Sequence, residues 1–408
     1  MHFTESLPLS LYVHYPWCLQ KCPYCDFNSH GLSAKVVQEG QLASQALPQE
    51  AAYIEALLQQ LERTLPLIWG RPIHSIFFGG GTPSLMSEAG LRHFLTQAKM
   101  LLGWRSDIEI TLEANPGTVD MAKFVGFRQA GINRLSIGIQ SFADEKLQAL
   151  GRVHSAAEAK QAVVAARQAG FENFNLDLMF ALPNQTLKQA IADVQQAIDL
   201  APTHVSHYQL TLEPNTPFYR QPPPLPEADL AWEMQTACQQ LLSEAGYQHY
   251  EVSAYAQVGF QCQHNLNYWQ FGDYIGLGAG AHGKLTLPAQ NRVIRTQMPA
   301  APGSYVQMMQ QLKGQPLAES VQGEVKMGRV TELSVADLGF EFMLNALRLQ
   351  EPVAKSLFVV RTGVTFEQVA AKVDALVDQD LMCSDETHFG LTRKGQQFLN
   401  DVVAVFLE

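Results

Sequence analysis

The chain has 408 residues, of which 47% are hydrophobic and 16% are charged, and its net charge is −11. This composition excludes a disordered chain, and the acidic balance argues against a general nucleic-acid binder, so we expect no nucleic-acid partner. No apolar stretch reaches the roughly 20 residues that span a bilayer, no secretory signal is visible at the N-terminus, and the six cysteines suit a reducing compartment, so we expect a cytoplasmic protein without a transmembrane segment.

Strand-like and helix-like segments alternate over the first two-thirds of the chain. The predicted strands are 9–15, 73–78, 107–113, 134–139, 173–179 and 205–211. The helices predicted to follow them are 49–64, 87–102, 119–130, 156–169, 187–200 and 227–245. Repeated βα units imply a parallel sheet with right-handed crossovers. The predicted fold class is therefore α/β, with about six units that close partly or fully into a barrel.

The pattern changes after this βα region, which we expect to cover residues 1–284. Residues 285–329 are rich in Gln, Pro, Gly and Met with weak periodicity, which predicts a linker or cover. In residues 330–408, two amphipathic helices (334–349 and 365–379), a short hairpin (382–391) and a last helix from 392 predict a small winged-helix-like domain. Such modules often bind DNA, but the acidic chain favours a protein-facing or ligand-covering role.

Three cysteines follow the first predicted strand closely, in Cys18-Leu-Gln-Lys-Cys22-Pro-Tyr-Cys25. Structural zinc sites and iron–sulfur clusters both usually take four protein ligands. No fourth cysteine is near, although His14 and His30 are. A [4Fe-4S] cluster held by three thiolates leaves one iron open for an exogenous ligand. A zinc knuckle and buried free thiols are the alternatives.

Glycines and polar residues recur where later strands end. Gly79-Gly80-Gly81-Thr82-Pro83 follows the second strand, and glycines let a ligand approach the backbone closely. Further polar residues lie at or after the strands that follow: Glu113, Gln140, Arg152 and Asp177. The carboxyl ends of parallel strands meet at one face, so four such residues predict a site there. Any one of them alone would be read as a satisfied core polar group.

These motifs resemble the radical S-adenosylmethionine (SAM) superfamily. In that family the open iron binds the amino and carboxylate groups of SAM, and an electron from the cluster cleaves SAM to a 5′-deoxyadenosyl radical. LYVHYPWCLQKCPYCDF, FFGGGTPS, TLEANPG, RLSIGIQSF, LGRVH and NLDLMFALP together resemble its oxygen-independent coproporphyrinogen III oxidase group, over nearly the whole chain. The resemblance implies a [4Fe-4S] cluster on Cys18, Cys22 and Cys25. It also implies SAM contacts from Tyr12, Tyr24, Gly80, Gly81, Thr82, Glu113, Gln140, Arg152 and Asp177.

A further motif, His264-Asn265-Leu-Asn-Tyr268-Trp269, precedes a glycine-rich stretch that ends near His282. Histidine is a common axial ligand of haem iron, and Tyr and Trp offer flat faces to a porphyrin. The motif resembles the haem chaperone branch of this group, which implies haem, haem-accepting proteins and a reductant as partners. We expect His264, Asn265, Tyr268 and Trp269 to form a haem site near the mouth of the barrel, on the side of the cysteines.

Alternatives remain open for this motif. A polar turn with two packed aromatics would look the same, and Cys262 or His282 could bind haem instead. The oxidase typically carries a fourth cysteine two residues after the third, where this chain has Phe27. The resemblance therefore favours a haem chaperone over coproporphyrinogen III oxidation. Another radical SAM activity, such as methyl or methylthio transfer, is a third candidate, although no additional cysteine cluster accompanies it here.

Overall fold

One twelve-stranded mixed sheet organises the chain in the computed structural model, which describes residues 1–3, 5–32, 47–68, 70–313 and 328–407. The strands are β1 (Leu9–Tyr15), β2 (Trp17–Cys18), β3 (His30–Gly31), β4 (Ile73–Gly80), β5 (Trp104–Ala114), β6 (Arg134–Gln140), β7 (Asn173–Phe180), β8 (His204–Gln209), β9 (Gln248–Glu251), β10 (Ala254–Ala256), β11 (Asp273–Leu277), β12 (His282–Leu287), β13 (Arg292–Gln297), β14 (Arg329–Glu332), β15 (Val353–Ala354), β16 (Met382–Ser384) and β17 (His388–Leu391).

Helices connect most of these strands. They are α1 (Glu50–Ile68), α2 (Glu88–Leu101), α3 (Met121–Ala130), α4 (Asp144–Ala149), α5 (Ala156–Gln168), α6 (Leu187–Asp199), α7 (Pro217–Arg220), α8 (Ala228–Glu244), α9 (Gln263–Trp269), α10 (Pro302–Gln311), α11 (Val335–Ala346), α12 (Lys355–Thr362), α13 (Glu367–Asp378), α14 (Arg393–Gln397) and α15 (Leu399–Ala404). None of the helices in the described ranges is long and apolar enough to cross a membrane.

The strand order determines which edge of the sheet carries the carboxyl ends of the parallel strands. The order is β14-β13-β12-β11-β1-β4-β5-β6-β7-β8-β10-β9, and the run from β11 to β8 is parallel throughout. Within the described residues the two outer strands, β14 and β9, do not pair with each other, so the barrel is partial. The predicted α/β fold with a partial βα barrel is confirmed. All seven parallel strands present their carboxyl ends at the same edge.

Local sequence signals explain where the connecting helices begin. Ser155 and Thr186 cap α5 and α6, each with a reciprocal capping box formed by a residue three positions later. Buried apolar side chains of the helices and of the outward faces of the strands form one large core. The sheet therefore has helices on its outer face and leaves its inner face for polar side chains.

The region predicted as a linker or cover differs from that expectation in its described parts. β12 and β13 pair antiparallel and extend the main sheet beyond β11, and α10 follows them. These strands have six residues each, too few for their hydrophobic alternation to stand out in the sequence. Residues 314–327 lie outside the described ranges, and so does that part of the prediction.

The C-terminal segment folds as helices around a small sheet of order β15-β17-β16. The expected helices and hairpin are present, and the sequence prediction missed the short helix α12 and the two-residue strand β15. The apolar side chains of this segment form a second hydrophobic core, which also includes Phe3, Leu7, Phe271 and Val293. It docks on the barrel through a ring contact between Phe271 and Phe342, 5.7 Å between centroids, and through the Arg348–Glu251 ion pair at 3.1 Å.

Candidate functional site

The three clustered cysteines lie on the loop that follows β1, at the carboxyl edge of the parallel strands. Backbone pairing of β2 with β3 closes this loop on itself. The loop after β4 is joined to it, because Gly81 N–H donates to the Tyr15 carbonyl and Thr82 N–H to the Trp17 carbonyl, both at 2.8 Å. The cysteine motif and the glycine motif, separated by more than fifty residues in sequence, are thus one surface.

Cys18, Cys22 and Cys25 all line one cavity of about 330 Å³, and all three are free thiols. Burial raises the pKa of the Cys18 and Cys25 thiols, so a cation is needed to hold them as thiolates. In the described part of the chain, no three His, Cys, Asp or Glu side chains lie close enough to share one metal ion. A [4Fe-4S] cluster fits better than zinc, because each thiolate then binds a different iron.

The glycines beneath this loop are required by packing. Gly80 has a φ of +114°, and a Cβ there would collide with the His14 imidazole. A Cβ at Gly81 would lie 2.8 Å from the Pro16 carbonyl carbon. The freed N–H of Gly80 donates to Glu113 at 3.1 Å. The glycine motif therefore lets the cysteine loop lie directly on the strand ends. It also directs the backbone N–H of Gly80 toward Glu113 at the cavity.

Two half-buried carboxyl groups, those of Glu113 and Asp177, line the same cavity. Burial and the neighbouring Asp177 raise the pKa of Glu113 to about 8. Burial also raises the pKa of Asp177, although Asn175 Nδ2 donates to it at 2.8 Å and Ser136 Oγ at 3.0 Å. Among the described residues no cationic side chain pairs with Glu113, so its carboxyl group is suited to accept a hydrogen bond from a ligand, such as the amino group of SAM.

Arg152, Gln140 and Tyr24 complete the predicted wall of the cavity. Arg152 Nη1 donates to Cys22 Sγ at 3.7 Å, and Nη2 donates to the Gly138 carbonyl at 2.8 Å. Its buried Nε has no hydrogen-bond partner among the described residues. Gln140 adopts a φ of +70°, and its Oε1 accepts from the Tyr208 hydroxyl at 2.8 Å.

Tyr12, expected to contact SAM, lies beneath the wall of the cavity. It does not line the cavity; its hydroxyl is hydrogen-bonded to His14 Nδ1 at 3.0 Å and its ring stacks on Phe77. The sequence prediction missed several cavity residues: Ser29, Asn115, Ser136, Ser206, Tyr208 and Ser253. Ser136 could have been found, since it alternates with Arg134, Gly138 and Gln140 on the inward face of β6.

A support for the cysteine loop was also missed. Asn28 Nδ2 donates to the Ala279 and Ala300 carbonyls, both at 2.9 Å, and the Asn28 carbonyl accepts from His14 Nε2 at 2.8 Å. A Cβ at Gly278 would lie 2.6 Å from the His14 carbonyl oxygen. The glycine-rich stretch before His282 thus packs under the cysteine loop.

The HNLNYW motif lies at the other end of the barrel. It forms α9, the connection that leads into β11, and β11 is parallel to β1, so α9 meets the amino ends of the strands. His264 is 1% exposed, with Nδ1 3.0 Å from Ser75 Oγ and Nε2 3.1 Å from the Tyr268 hydroxyl. Burial and Arg134 lower the pKa of His264 to about 3. The expected position near the cysteines is wrong, because α9 fills the opposite opening.

Three of the remaining haem candidates, Tyr268, Trp269 and Cys262, also have partners in the fold. The Tyr268 ring meets Tyr274 edge-on at 4.5 Å, and Trp269 carries the Arg348 guanidinium 4.3 Å from its ring centre. Asn265 is half-buried. The buried Cys262 thiol donates to Glu109 at 3.5 Å, and His282 is exposed on β12. The structure therefore brings the cysteine, glycine and carboxylate motifs together and leaves the HNLNYW motif apart.

Two family models match parts of the chain. The Radical SAM superfamily matches residues 12–197, and the HemN C-terminal domain matches residues 333–398. The chain is 46% identical to the haem chaperone HemW of Haemophilus influenzae over 404 residues and 44% identical to that of Escherichia coli over 400, covering 98% of each chain in both cases. The fold matches the E. coli coproporphyrinogen III oxidase HemN, a radical SAM enzyme, with a TM-score of 0.78 at 21% identity, over 98% of this chain and 90% of that one.

Proposed function

The chain belongs to the radical SAM superfamily and, within it, to the family of the haem chaperone HemW, and from that premise we propose that it binds haem and passes it to acceptor proteins while holding a SAM-ligated [4Fe-4S] cluster. The observation that carries the proposal is the 46% identity to a named haem chaperone over 98% of both chains. We propose further that it acts in the cytoplasm, with a cellular reductant for the cluster.

The cavity at the carboxyl edge supports a place for the cluster and SAM. Cys18, Cys22 and Cys25 would hold three irons, and the open iron would take the amino and carboxylate groups of SAM. Glu113 would accept a hydrogen bond from the SAM amino group, and Asp177 would accept one from a ribose hydroxyl. Arg152 would pair with the SAM carboxylate, since its guanidinium already lies 3.7 Å from Cys22 Sγ. When bound, the cluster supplies one-electron reduction of the SAM sulfonium.

Coproporphyrinogen III oxidation is the second candidate, because the fold matches HemN. At 21% identity that match carries the fold alone. Phe27 stands where the oxidase group carries its fourth cysteine, and its side chain is 60% exposed beside the cavity. An exposed phenyl ring can bind no iron, so the position offers a contact surface and no ligand.

Haem is proposed to bind at the HNLNYW motif, with His264, Asn265, Tyr268 and Trp269 as the residues that border its site. Both imidazole nitrogens of His264 are hydrogen-bonded, so His264 could bind iron only after losing one of those bonds. Tyr268 and Trp269 are each half-buried, so the outer side of α9 is the accessible one.

One experiment separates the two functions. The cluster is reconstituted anaerobically, and the protein is titrated with haem, mixed with apomyoglobin as a test acceptor, and in parallel supplied with SAM, dithionite and coproporphyrinogen III. We expect a Soret band, transfer of haem to apomyoglobin and no loss of coproporphyrinogen carboxylates. Decarboxylation without haem transfer would establish the oxidase instead. A Cys18→Ala protein controls for haem binding that does not depend on the cluster.

A further inference from the structure

A buried histidine lies beneath the cavity that Asp177 lines. His204 is on β8, and its register partner on the neighbouring strand β7 is Asn175. Because residues two apart on a strand share a face, Asn175 lies on the same face of β7 as Asp177. His204 is 1% exposed and Asn175 is 2% exposed, and neither of them lines the cavity, so neither can contact a ligand there directly.

Hydrogen bonds connect these side chains in a row that ends at Asp177. His204 Nδ1 lies 2.7 Å from Asn175 Oδ1, and Asn175 Nδ2 donates to Asp177 Oδ1 at 2.8 Å. On the other side of the imidazole, His204 Nε2 lies 2.8 Å from the hydroxyl of Tyr250, a buried residue of β9. Since β9 is the last strand of the sheet, the row of hydrogen bonds extends from the sheet edge to the cavity.

The direction of each hydrogen bond follows from the carboxylate at the end of the row. An ionised carboxyl group only accepts, so Asn175 presents its amide nitrogen to Asp177 and its oxygen to His204. Burial and Arg134 lower the pKa of His204 well below its ordinary value, so the imidazole is neutral, with one donor and one acceptor nitrogen. Nδ1 then carries the proton that is donated to Asn175, and Nε2 accepts from the Tyr250 hydroxyl.

These bonds hold the carboxyl group of Asp177 in place for a ligand. Asn175 donates to its Oδ1, and Ser136 Oγ donates to its Oδ2 at 3.0 Å. Without the donor from His204, the Asn175 amide could turn by half a rotation, and its oxygen would then face Asp177 as a second acceptor. The Ser206 hydroxyl, 3.1 Å from the Asn175 oxygen, does not prevent this turn, because a hydroxyl can donate or accept.

We propose that His204 is a positioning residue of the SAM site, which orients Asn175 and through it the carboxylate of Asp177 toward a ribose hydroxyl. This role rests on the proposed function, in which SAM is the ligand. His204 lies outside the cavity, so it acts on SAM only through Asn175 and Asp177. No covalent bond forms or breaks, and the imidazole keeps its proton on Nδ1.

The test is calorimetry of SAM binding to the full-length protein with its cluster reconstituted. His204→Leu should weaken SAM binding about threefold to tenfold, which corresponds to roughly 0.6–1.4 kcal/mol. His204→Asn should restore most of the affinity, because its amide can place a donor near the position of Nδ1. His207→Leu is the matched control, since His207 is a buried histidine of the same strand that stacks on Phe180 and does not line the cavity; its SAM affinity should equal that of wild type.

A double-mutant cycle shows whether His204 acts through Asp177. If it does, a protein with both His204→Leu and Asp177→Ala should bind SAM as weakly as Asp177→Ala alone, because the carboxylate to be positioned is already absent. Additive losses would mean that His204 supports the barrel in another way, and would overturn the proposal.

The outcomes separate this role from the function on which it rests. If wild type binds no SAM, the proposed SAM site fails and the role of His204 fails with it. If wild type binds SAM and Asp177→Ala weakens binding, but His204→Leu keeps the wild-type affinity, the SAM site stands and His204 is not a positioning residue. Should His204→Leu not fold, Tyr250→Phe takes its place: it removes one hydroxyl, should weaken SAM binding about twofold, and would overturn the proposal if the affinity were unchanged.

Discussion

The two ends of the barrel both contain polar side chains, but these differ in burial and in whether they already have hydrogen-bond partners. At the carboxyl edge, Glu113 and Arg152 are half-buried and line a cavity, and Arg152 Nε has no hydrogen-bond partner among the described residues. At the amino end, His264 and Cys262 are fully buried, and each already has a side-chain partner. Buried polar groups without partners cost free energy, so the carboxyl edge is prepared for a ligand, whereas His264 and Cys262 act as structural residues.

The difference follows from how each end is built. Loops after parallel strands leave the strand ends open, and only glycines allow the cysteine loop to cover them. The amino end is filled by α9, whose aromatic and imidazole rings pack between Phe77 and Tyr274. A ligand can enter the first end directly, whereas at the second it meets only the outer side of α9.

Removing a cysteine should give the largest effect. Each of Cys18→Ala, Cys22→Ala and Cys25→Ala is expected to abolish the [4Fe-4S] cluster, because three thiolates are the minimum that holds it with one iron open. Iron and sulfide are measured after anaerobic reconstitution. Cys262→Ala, at the other end, and the exposed Cys383→Ala should keep full cluster content. A cluster retained by any of the first three variants would refute the assignment of its ligands.

At the amino end, the largest loss of stability is expected from Asp273→Asn. Asp273 is fully buried and accepts from Arg71 Nη2 at 2.9 Å, Lys284 Nζ at 2.8 Å and Thr286. Neutralising it leaves two buried cations without their counter-ion, which typically costs about 3–5 kcal/mol in the free energy of unfolding. Urea unfolding measures it, and Glu88→Gln, which breaks an exposed pair with Arg92, should change stability by less than about 1 kcal/mol.

The same carboxylate predicts a sensitivity to acid. Burial alone would raise the pKa of Asp273, but Lys284 and Arg71 outweigh it and hold that pKa below its ordinary value. A depressed folded-state pKa means that the stabilisation is present at neutral pH and is lost as pH falls through the folded-state value. Asp273→Asn should therefore flatten the acid limb of the stability curve. An unchanged acid limb would assign acid unfolding to other groups.

The sequence located one end of the barrel and mislocated the other for a physical reason. The strand 9–15 alternates apolar and more polar residues between two prolines, Pro8 and Pro16, and β1 has the predicted bounds. Residues at the ends of parallel strands share an edge, so Glu113, Gln140, Arg152 and Asp177 could be grouped. The strand after α9 was not predicted, and only its parallel pairing with β1 shows that α9 must return to the amino ends.

At the carboxyl edge, we expect an intermediate effect from a change in SAM affinity. Asp177→Ala should weaken SAM binding to the reconstituted protein about tenfold, because a charge-assisted hydrogen bond contributes roughly 1.5–3 kcal/mol. Calorimetry measures the affinity. Asp177→Asn retains an acceptor without the charge and should lose less. If Asp177→Ala binds SAM as tightly as wild type, Asp177 only organises Asn175 and Ser136 within the barrel.

Glu113 should make SAM affinity depend on pH. With its pKa raised to about 8 by burial and Asp177, its carboxyl is largely protonated at neutral pH in the free protein. The carboxylate form is the stronger acceptor for the N–H groups of the iron-bound amine, so affinity should rise several-fold between about pH 6.5 and about pH 8. Glu113→Gln should abolish that rise. A wild-type affinity that is flat over this range would mean that Glu113 does not accept a hydrogen bond from the SAM amino group.

The smallest expected effect on stability is that of Tyr268→Phe, which tests the role of His264 at the amino end of the barrel. Tyr268→Phe removes the hydroxyl at 3.1 Å from His264 Nε2 and leaves the ring against Tyr274 in place. One neutral hydrogen bond contributes about 1 kcal/mol, so unfolding in urea should shift by about that amount. Haem affinity should not change, because the Tyr268 ring and α9 both stay in place. Were His264 the axial ligand, freeing its Nε2 would instead tighten haem binding, while Tyr219→Phe, at an exposed tyrosine, controls for loss of a hydroxyl alone.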